Sequence, residues 1–460
     1  MLELRYNASM ADNFVSYDRD TLFLMPPSVQ DWLPEEHLAR FVVDIVTRLD
    51  LRQIRDSYAG CGSAAYHPEM LVALLFYAYA TGMRASRKIE TATYESVAFR
   101  YLAANTHPDH NTIAAFRRRF LPYLQPLFNQ ILLLAKEARC LKLGRVSLDG
   151  TKIKASASKH RAVSLKGAEQ IQARLRREVA RMLELAEEAD QADEAAETEM
   201  DFPEEIKRRE DRLRALDEAK ERIRAREAAR EVQEQAEHEE TLADRKRIEQ
   251  SNGKKLKNRP PERPKKGVRP QAQLNLTDPD SRIMPSAEGF VQGYNAQAAV
   301  ETESMLIVSA ALSQKPTDRR LLKPMLQKLS DLPIGKPGDI LADAGYFSEL
   351  NVERCVESGF TPYIPPKRDP HHWGLRRLKK PKEPGPRASA LTKMLYRLRT
   401  PAGRAIYALR KHTVEPVFGI LKRALGFRQF HLRGYEKATG EYLLGCTAWN
   451  IKRLHVLMAG

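Results

Sequence analysis

The chain has 460 residues, 42% of them hydrophobic, which is enough for a real core and excludes a wholly disordered polymer. Its formal net charge of +16 and pI of about 9.6 call for a polyanionic partner or an anionic membrane surface. The longest near-apolar run, Met70 to Met83, is too short to cross a bilayer, so nucleic acid is the favoured polyanion and no membrane partner is expected.

The four cysteines are far apart and form no CxxC pair, which argues against structural zinc and fits a reducing compartment. The start, MLELRYNASMADNF, has no secretory pattern, so a cytoplasmic location is expected.

Residues 1–140 read as helical. PEMLVALLFYAYATG is a buried helix. In HPDHNTIAAFRRRFLPYL, Asn111 or Thr112 can cap a helix with Ile113, Phe116 and Phe120 on one side. Arg117, Arg118 and Arg119 fall mostly on the other side, as a solvated basic face or as phosphate contacts of a DNA-binding module. LGRVSLDG then reads as a short strand and TKIKASAS as a second one.

Residues 167–252 are dense in Ala, Glu, Arg and Lys. Ile171, Leu175, Val179, Met182 and Ala186 recur at helical spacing. Asp201 can cap a second arm with Pro203 in its first turn and Leu213, Leu216, Ile223 and Val232 as its stripe. A protruding helical hairpin follows, with arms of roughly 30 to 45 residues, or about 45 to 65 Å. It is either a charge-paired spacer or a dimerisation or DNA-clamping element. KKLKNRPPERPKKGVRP after it is a basic, Pro-rich linker, mobile until it meets phosphates.

From 281 to 370 the pattern is α/β. FVQGYNAQAAVE, MLIVSAALS, DILADAGY and TPYIPPK read as strands, and DRRLLKPMLQKL and SELNVERCVESG as helices. Tyr294 and Asn295 in GYNAQ read best as a strand-end turn. Residues 371–399 are basic and Pro-rich, and the chain from 404 onward is helical.

Three acids stand out. Asp149 follows the apolar run Val146–Leu148, and Asp343 follows Ile340–Ala342. Carboxylates at strand ends can converge on a divalent metal ion, although Asp-Gly at 149–150 is also a strong turn dipeptide. Glu415 lies in a basic helical segment with Tyr407, Lys411 and Lys422 near one face. Pro416 disfavours helical geometry at Glu415, so the helix is expected to kink or restart there.

SLDGTKIKASASK, GYNAQAAV, DILADAGYFS and YALRKHTVEPVFGILKRALGFRQFHLRG together resemble the DDE transposases of bacterial insertion sequences. TGMRASRKIE and PDHNTIAAFRRRF extend the resemblance to the N-terminal region. It implies an α/β fold whose RNase H-like catalytic domain has a mixed sheet flanked by helices. That domain would comprise 141–166 and 276–460. An all-α DNA-binding domain (1–140), a helical-hairpin insertion (167–252) and a basic linker (253–275) complete the chain.

The resemblance also implies that Asp149, Asp343 and Glu415 are the catalytic, metal-binding triad. Two Mg²⁺ (or Mn²⁺) ions would activate water or a DNA 3′-hydroxyl and stabilise the leaving oxygen. The family's Tyr–Arg–Glu–Lys signature falls on Tyr407, Arg410, Glu415 and Lys422. Arg410 is one residue further from the glutamate than is common, so Arg410 and Lys411 both qualify as the phosphate ligand. The implied partners are the element's terminal inverted repeats and target DNA, both double-stranded. The implied state is at least a homodimer on nucleoid DNA. A nuclease of the same fold that does not join ends, and a non-catalytic DNA-binding scaffold, are the alternatives.

Overall fold

The computed structural model describes residues 28–58, 65–191, 202–253, 255, 260–286, 289–366 and 383–459. It begins with α1 (Leu38–Thr47), α2 (Arg52–Asp56), α3 (Pro68–Ala80), α4 (Ser86–Glu95), α5 (Val97–Leu102), α6 (His110–Phe120) and α7 (Leu124–Glu137). α3 opens on a proline, where a missing N–H costs least, and Leu71 to Ala80 are buried without a break. That all-round apolarity makes it the central helix of the N-terminal region. α6 is capped by Asp109, earlier than Asn111 or Thr112. The Asp109 carboxylate accepts from the Asn111 and Thr112 amides at 2.8 and 3.1 Å.

β1 (Arg145–Lys154) is followed by β2 (Ala162–Ser164), α8 (Leu165–Gln191), α9 (Phe202–Asn252), β3 (Gln273–Asn275), β4 (Arg282–Ser286), β5 (Gly289–Glu301), β6 (Ile307–Ser313) and α10 (Leu322–Ser330). β7 (Asp339–Ala342), α11 (Glu349–Glu357), β8 (Thr361–Tyr363), α12 (Ala390–Arg399), α13 (Pro401–Arg423) and α14 (Tyr435–Ala459) complete the chain. Among the described residues, six strands form one mixed sheet in the order β4–β5–β1–β7–β8, with β6 beside β4 along β5. β7 and β8 run parallel to β1, while β5 runs against it. This helix-flanked mixed sheet has the expected RNase H-like character.

β1 is one strand, not two. It pairs with β5 from Val146↔Glu301 to Lys154↔Gly293, so the backbone runs straight through Asp149–Gly150. Tyr294 and Asn295 likewise lie inside β5 rather than in a turn. α13 is also continuous. Burial of Val414, Val417, Phe418 and Leu421 outweighs the local objection of Pro416 to helical geometry.

The N-terminal helices and the sheet share one hydrophobic core, tied together by α14, which buries Tyr442, Leu444 and Ile451. A buried ion pair crosses the same junction. Arg84 meets Glu441 at 3.2 Å, with side chains 5% and 0% exposed. Glu441 also accepts from the amides of His431 and Leu432, and Arg84 lies over the Phe427 ring. Arg117 belongs to this junction. It is buried and donates to the Arg84 carbonyl at 2.7 Å, so it is a packing residue rather than an exposed phosphate contact. Arg118 and Arg119 stay exposed, Arg119 over the Tyr58 ring.

The hairpin rises from a second, small core that includes Val163, Ala168, Leu175, Leu216, Ile223 and Leu274. α9 has 51 residues, about 75 Å of helix, which exceeds the expected arm length. Leu216 and Ile223 are buried as its stripe requires, but Val232 is 72% exposed. The Asp201 cap lies outside the described residues. In the basic linker, 254 and 256–259 do too. The remainder, 260–272, has no regular structure but lies along α9: Arg269 pairs with Glu227 at 3.2 Å, and the Gly267 amide donates to Glu231 at 2.9 Å. Residues 367–382, within or next to the second basic stretch, also lie outside the described residues.

Arg84→Met would strand Glu441 in the core. It should cost about 3 kcal/mol or more in urea denaturation, whereas Arg118→Met on exposed surface should cost under about 0.5 kcal/mol.

Candidate active site

Ala342, the last residue of β7, is level with Leu148 of β1. The next residue on each parallel strand is an acid, so Asp149 and Asp343 emerge side by side. Asp149 is therefore inside β1 but level with the end of β7. Asp343 caps a short turn, Ala344–Tyr346, by accepting from the Gly345 amide at 2.8 Å. Asp149 accepts from its neighbour Gly150 at 2.8 Å.

A further acid, Asp318, lies beside them in the loop after β6. Its carboxylate accepts from Asn295 Nδ2 at 2.7 Å and Gln297 Nε2 at 2.9 Å, and Lys152 Nζ stands 3.6 Å away. A side chain on Gly150 would meet the side-chain ends of Gln297 and Asp318 and would have to push them out of their hydrogen bonds. Tyr346, buried, donates to Gln297 and closes the floor. Asp318, Lys152 and Gln297 were not picked out from sequence. The one available signal was a third acid, in KPTDRR, between a strand and a helix.

α13 packs against β1 and brings Arg410 between two acids. Nη1 donates to Asp149 Oδ2 at 3.2 Å, and Nη2 donates to Glu415 Oε1 at 2.9 Å. Glu415 is 49% exposed, at the edge of the site. Arg410, rather than Lys411, is thus the cation that joins the acids, while Lys411 is exposed. Tyr407 and Lys422 are half-buried on the same helix. Arg117 lies in the packing junction described above.

Burial pushes the Asp149 carboxyl up to about 6, with Asp343 and Asp318 adding to the rise; the Gly150 amide and Arg410 oppose it. Burial also works against the charge of Arg410, but Asp149, Tyr407 and Glu415 outweigh it and hold the guanidinium above its usual range. Arg410 Nε is buried without a hydrogen bond. Among the described residues, no three metal-ligating side chains already converge on one point. The donor chemistry nonetheless fits a hard divalent cation. The acids are oxygen donors crowded at low dielectric, and the one cation joining Asp149 to Glu415 is a side chain that can rotate away.

Because Asp149 titrates high in the folded chain, the stability tied to its protonated form is complete below the ordinary carboxylate range. It is lost as pH rises through about 6. Asp149→Asn stays neutral and should therefore be more stable than the parent by about 2–3 kcal/mol near about pH 8 in chelator. The gap should close near about pH 4. Urea denaturation at both pH values checks this; no gap at the higher pH would mean the acids are not crowded.

Among the described residues, no helix is long and apolar enough to cross a membrane. Comparison with curated proteins and with solved structures gives no match. Two family models do match: the transposase DDE domain over residues 266–451 and a transposase domain, DUF772, over residues 27–119. The first contains Asp343 and Glu415, and Asp149 lies between the two matched segments. Both matches are transposase domains, and together they indicate a DDE transposase of an insertion sequence, a metal-dependent DNA-cutting enzyme.

Proposed function

We propose that Asp149, Asp343 and Glu415 form the catalytic triad of this transposase, and that one site cuts at the element ends and joins them to target DNA. The observation that carries this reading is the pairing of Asp149 and Asp343 at one level of β1 and β7, with Glu415 linked to Asp149 through Arg410. Two Mg²⁺ or Mn²⁺ ions held by these acids would supply a strong nucleophile from water or a 3′-hydroxyl and stabilise the leaving oxygen.

The chain's own groups have distinct tasks. Asp149 sits within β1 and Asp343 one residue past the end of β7, so the sheet places both carboxylates before any ligand arrives. Asp318 takes the amide donors of Asn295 and Gln297, while Asp149 accepts from the Gly150 amide and from Arg410 and would turn to a cation when Arg410 moves away. Arg410 releases Glu415 and turns its fork to a phosphate, where it can donate two parallel hydrogen bonds. Tyr407, Arg410, Glu415 and Lys422 are then the Tyr–Arg–Glu–Lys signature, with the wider spacing bridged by the long arginine. Lys422, Lys411, Arg118 and Arg119 hold DNA backbone further out. Two element ends must be cut, so the working form is at least a dimer on nucleoid DNA in the cytoplasm.

Asp149→Asn, Asp343→Asn and Glu415→Gln should each fold and bind DNA but lose at least about a thousandfold in Mn²⁺-dependent cleavage of element-end DNA. Cleavage at full rate in any of the three removes that residue from the triad. With pre-cleaved ends, the parent chain should yield strand-transfer product. Cutting without joining would make it a nuclease.

A further inference from the structure

The last part of α9 meets the catalytic body mainly through charge. Glu227, Glu231, Glu234, Glu237, Glu240 and Asp244 recur every three or four residues, about one carboxylate per 5 Å along one side of the helix. The first three face the basic linker: Glu227 and Glu234 pair with Arg269, and Glu231 accepts from the Gly267 amide. The last three face the body. Glu237 pairs with Lys315 at 2.5 Å and with Arg320 at 3.5 Å, Glu240 pairs with Lys323, and Asp244 pairs with Arg354 at 2.8 Å.

One of these body cations, Lys315, is linked through its backbone to an acid of the active site, and Arg320 follows that acid, Asp318, by two residues. The Lys315 carbonyl accepts from Asn295 Nδ2 at 3.1 Å, and the same amide donates to Asp318, beside Gly150. Two hydrogen bonds therefore connect the cationic track to the acidic centre.

The seam is not packed like a core. A cavity of about 1090 Å³ lies between α9 and the body, lined by Glu237, Lys315, Arg320 and Lys323 among others. His238 Nδ1, in the same stretch, is buried without a hydrogen bond. Apolar burial sits at the ends, with Leu216 and Ile223 in the small hairpin core and Ile248 buried near the far end; Val232 between them is mostly exposed. Partly exposed ion pairs of this kind contribute about 0–1 kcal/mol each and are screened by salt. A duplex, with its dense line of phosphates, would compete well for the same cations.

We infer that Lys315, Arg320, Lys323 and Arg354 form a track for DNA backbone leading from the active site, and that the acidic stripe of α9 covers it in the free protein. DNA displaces the stripe from the track while the apolar ends keep the helix attached. This deepens the transposase reading by naming the surface that carries the duplex, and it rests on that reading only for the identity of the polyanion.

The test uses the full chain in chelator, so that binding is read without cleavage and its failure is separable from failure of the triad. The probe is a random-sequence duplex of about 30 base pairs, followed by fluorescence anisotropy across a salt series. The variant Glu237→Gln/Glu240→Gln/Asp244→Asn should bind at least about tenfold tighter, with a log K against log salt slope steeper by about three. Adding Lys315→Gln/Arg320→Gln/Lys323→Gln to it should return both affinity and slope to the parent values or below. In the parent chain, hydrogen exchange along residues 227–247 should rise when the duplex is added. Unchanged affinity and slope in a folded acid-neutralised variant would overturn the inference. Should that variant fail to fold, unchanged exchange in the parent chain would do so.

Discussion

Crowded negative charge at the junction of β1 and β7 is the constraint around which the molecule is arranged. Asp149 and Asp343 leave neighbouring strands at one level, and Asp318 reaches in from the loop after β6. Like charges this close in a poorly solvated place raise the free energy of the folded chain unless something offsets them. The offsets are visible: Asn295 and Gln297 donate to Asp318, Lys152 stands beside it, and Arg410 joins Asp149 to Glu415. A site so arranged stores affinity for a more compact cation. On the proposed reading this suits the enzyme's task, since a metal-dependent transposase needs carboxylates held where ions and phosphates meet.

The remaining architecture keeps that junction rigid. β5 pairs with the whole of β1, so Asp149 stands on a strand supported from both sides. α13 is pinned by buried Val414, Val417, Phe418 and Leu421, and the sequence around them carries Arg410 and Glu415 to the edge of the sheet. α14 joins the sheet to the N-terminal helices through a shared core and the Arg84–Glu441 pair. A DNA contact on the N-terminal helices would thus be positioned firmly relative to the acids.

Much of this was legible from sequence, for identifiable reasons. The apolar runs before Asp149 and Asp343 mark buried strands, and burial of adjacent strands brings the acids together. The errors came where tertiary contacts override local rules. Asp-Gly reads as a turn, yet Gly150 lies inside β1, paired with Gln297 of β5 and close beneath the Gln297 and Asp318 side chains. Pro416 reads as a break, yet apolar packing on both sides of it holds the helix together. A helical wheel favours Lys411 as the companion of Glu415, but an arginine is long enough to reach it from five residues back. Arg117 reads as surface charge, and only the fold reveals the buried carbonyl that it serves. Asp318 carried no motif of its own. Its place is set by the pairing of β5 with both β1 and β6, a long-range relation that no local pattern encodes.

On the proposed reading Asp149, Asp343 and Glu415 are one metal site, with Arg410 holding two of them until ions and DNA arrive. A crystal structure of the full chain with Mn²⁺ and element-end DNA, read by anomalous scattering, tests it most directly. Manganese peaks should be bounded by all three carboxylates, with the Arg410 guanidinium moved onto a phosphate. Manganese bound elsewhere, or Glu415 still paired with Arg410 while metal sits on the two aspartates alone, would contradict it.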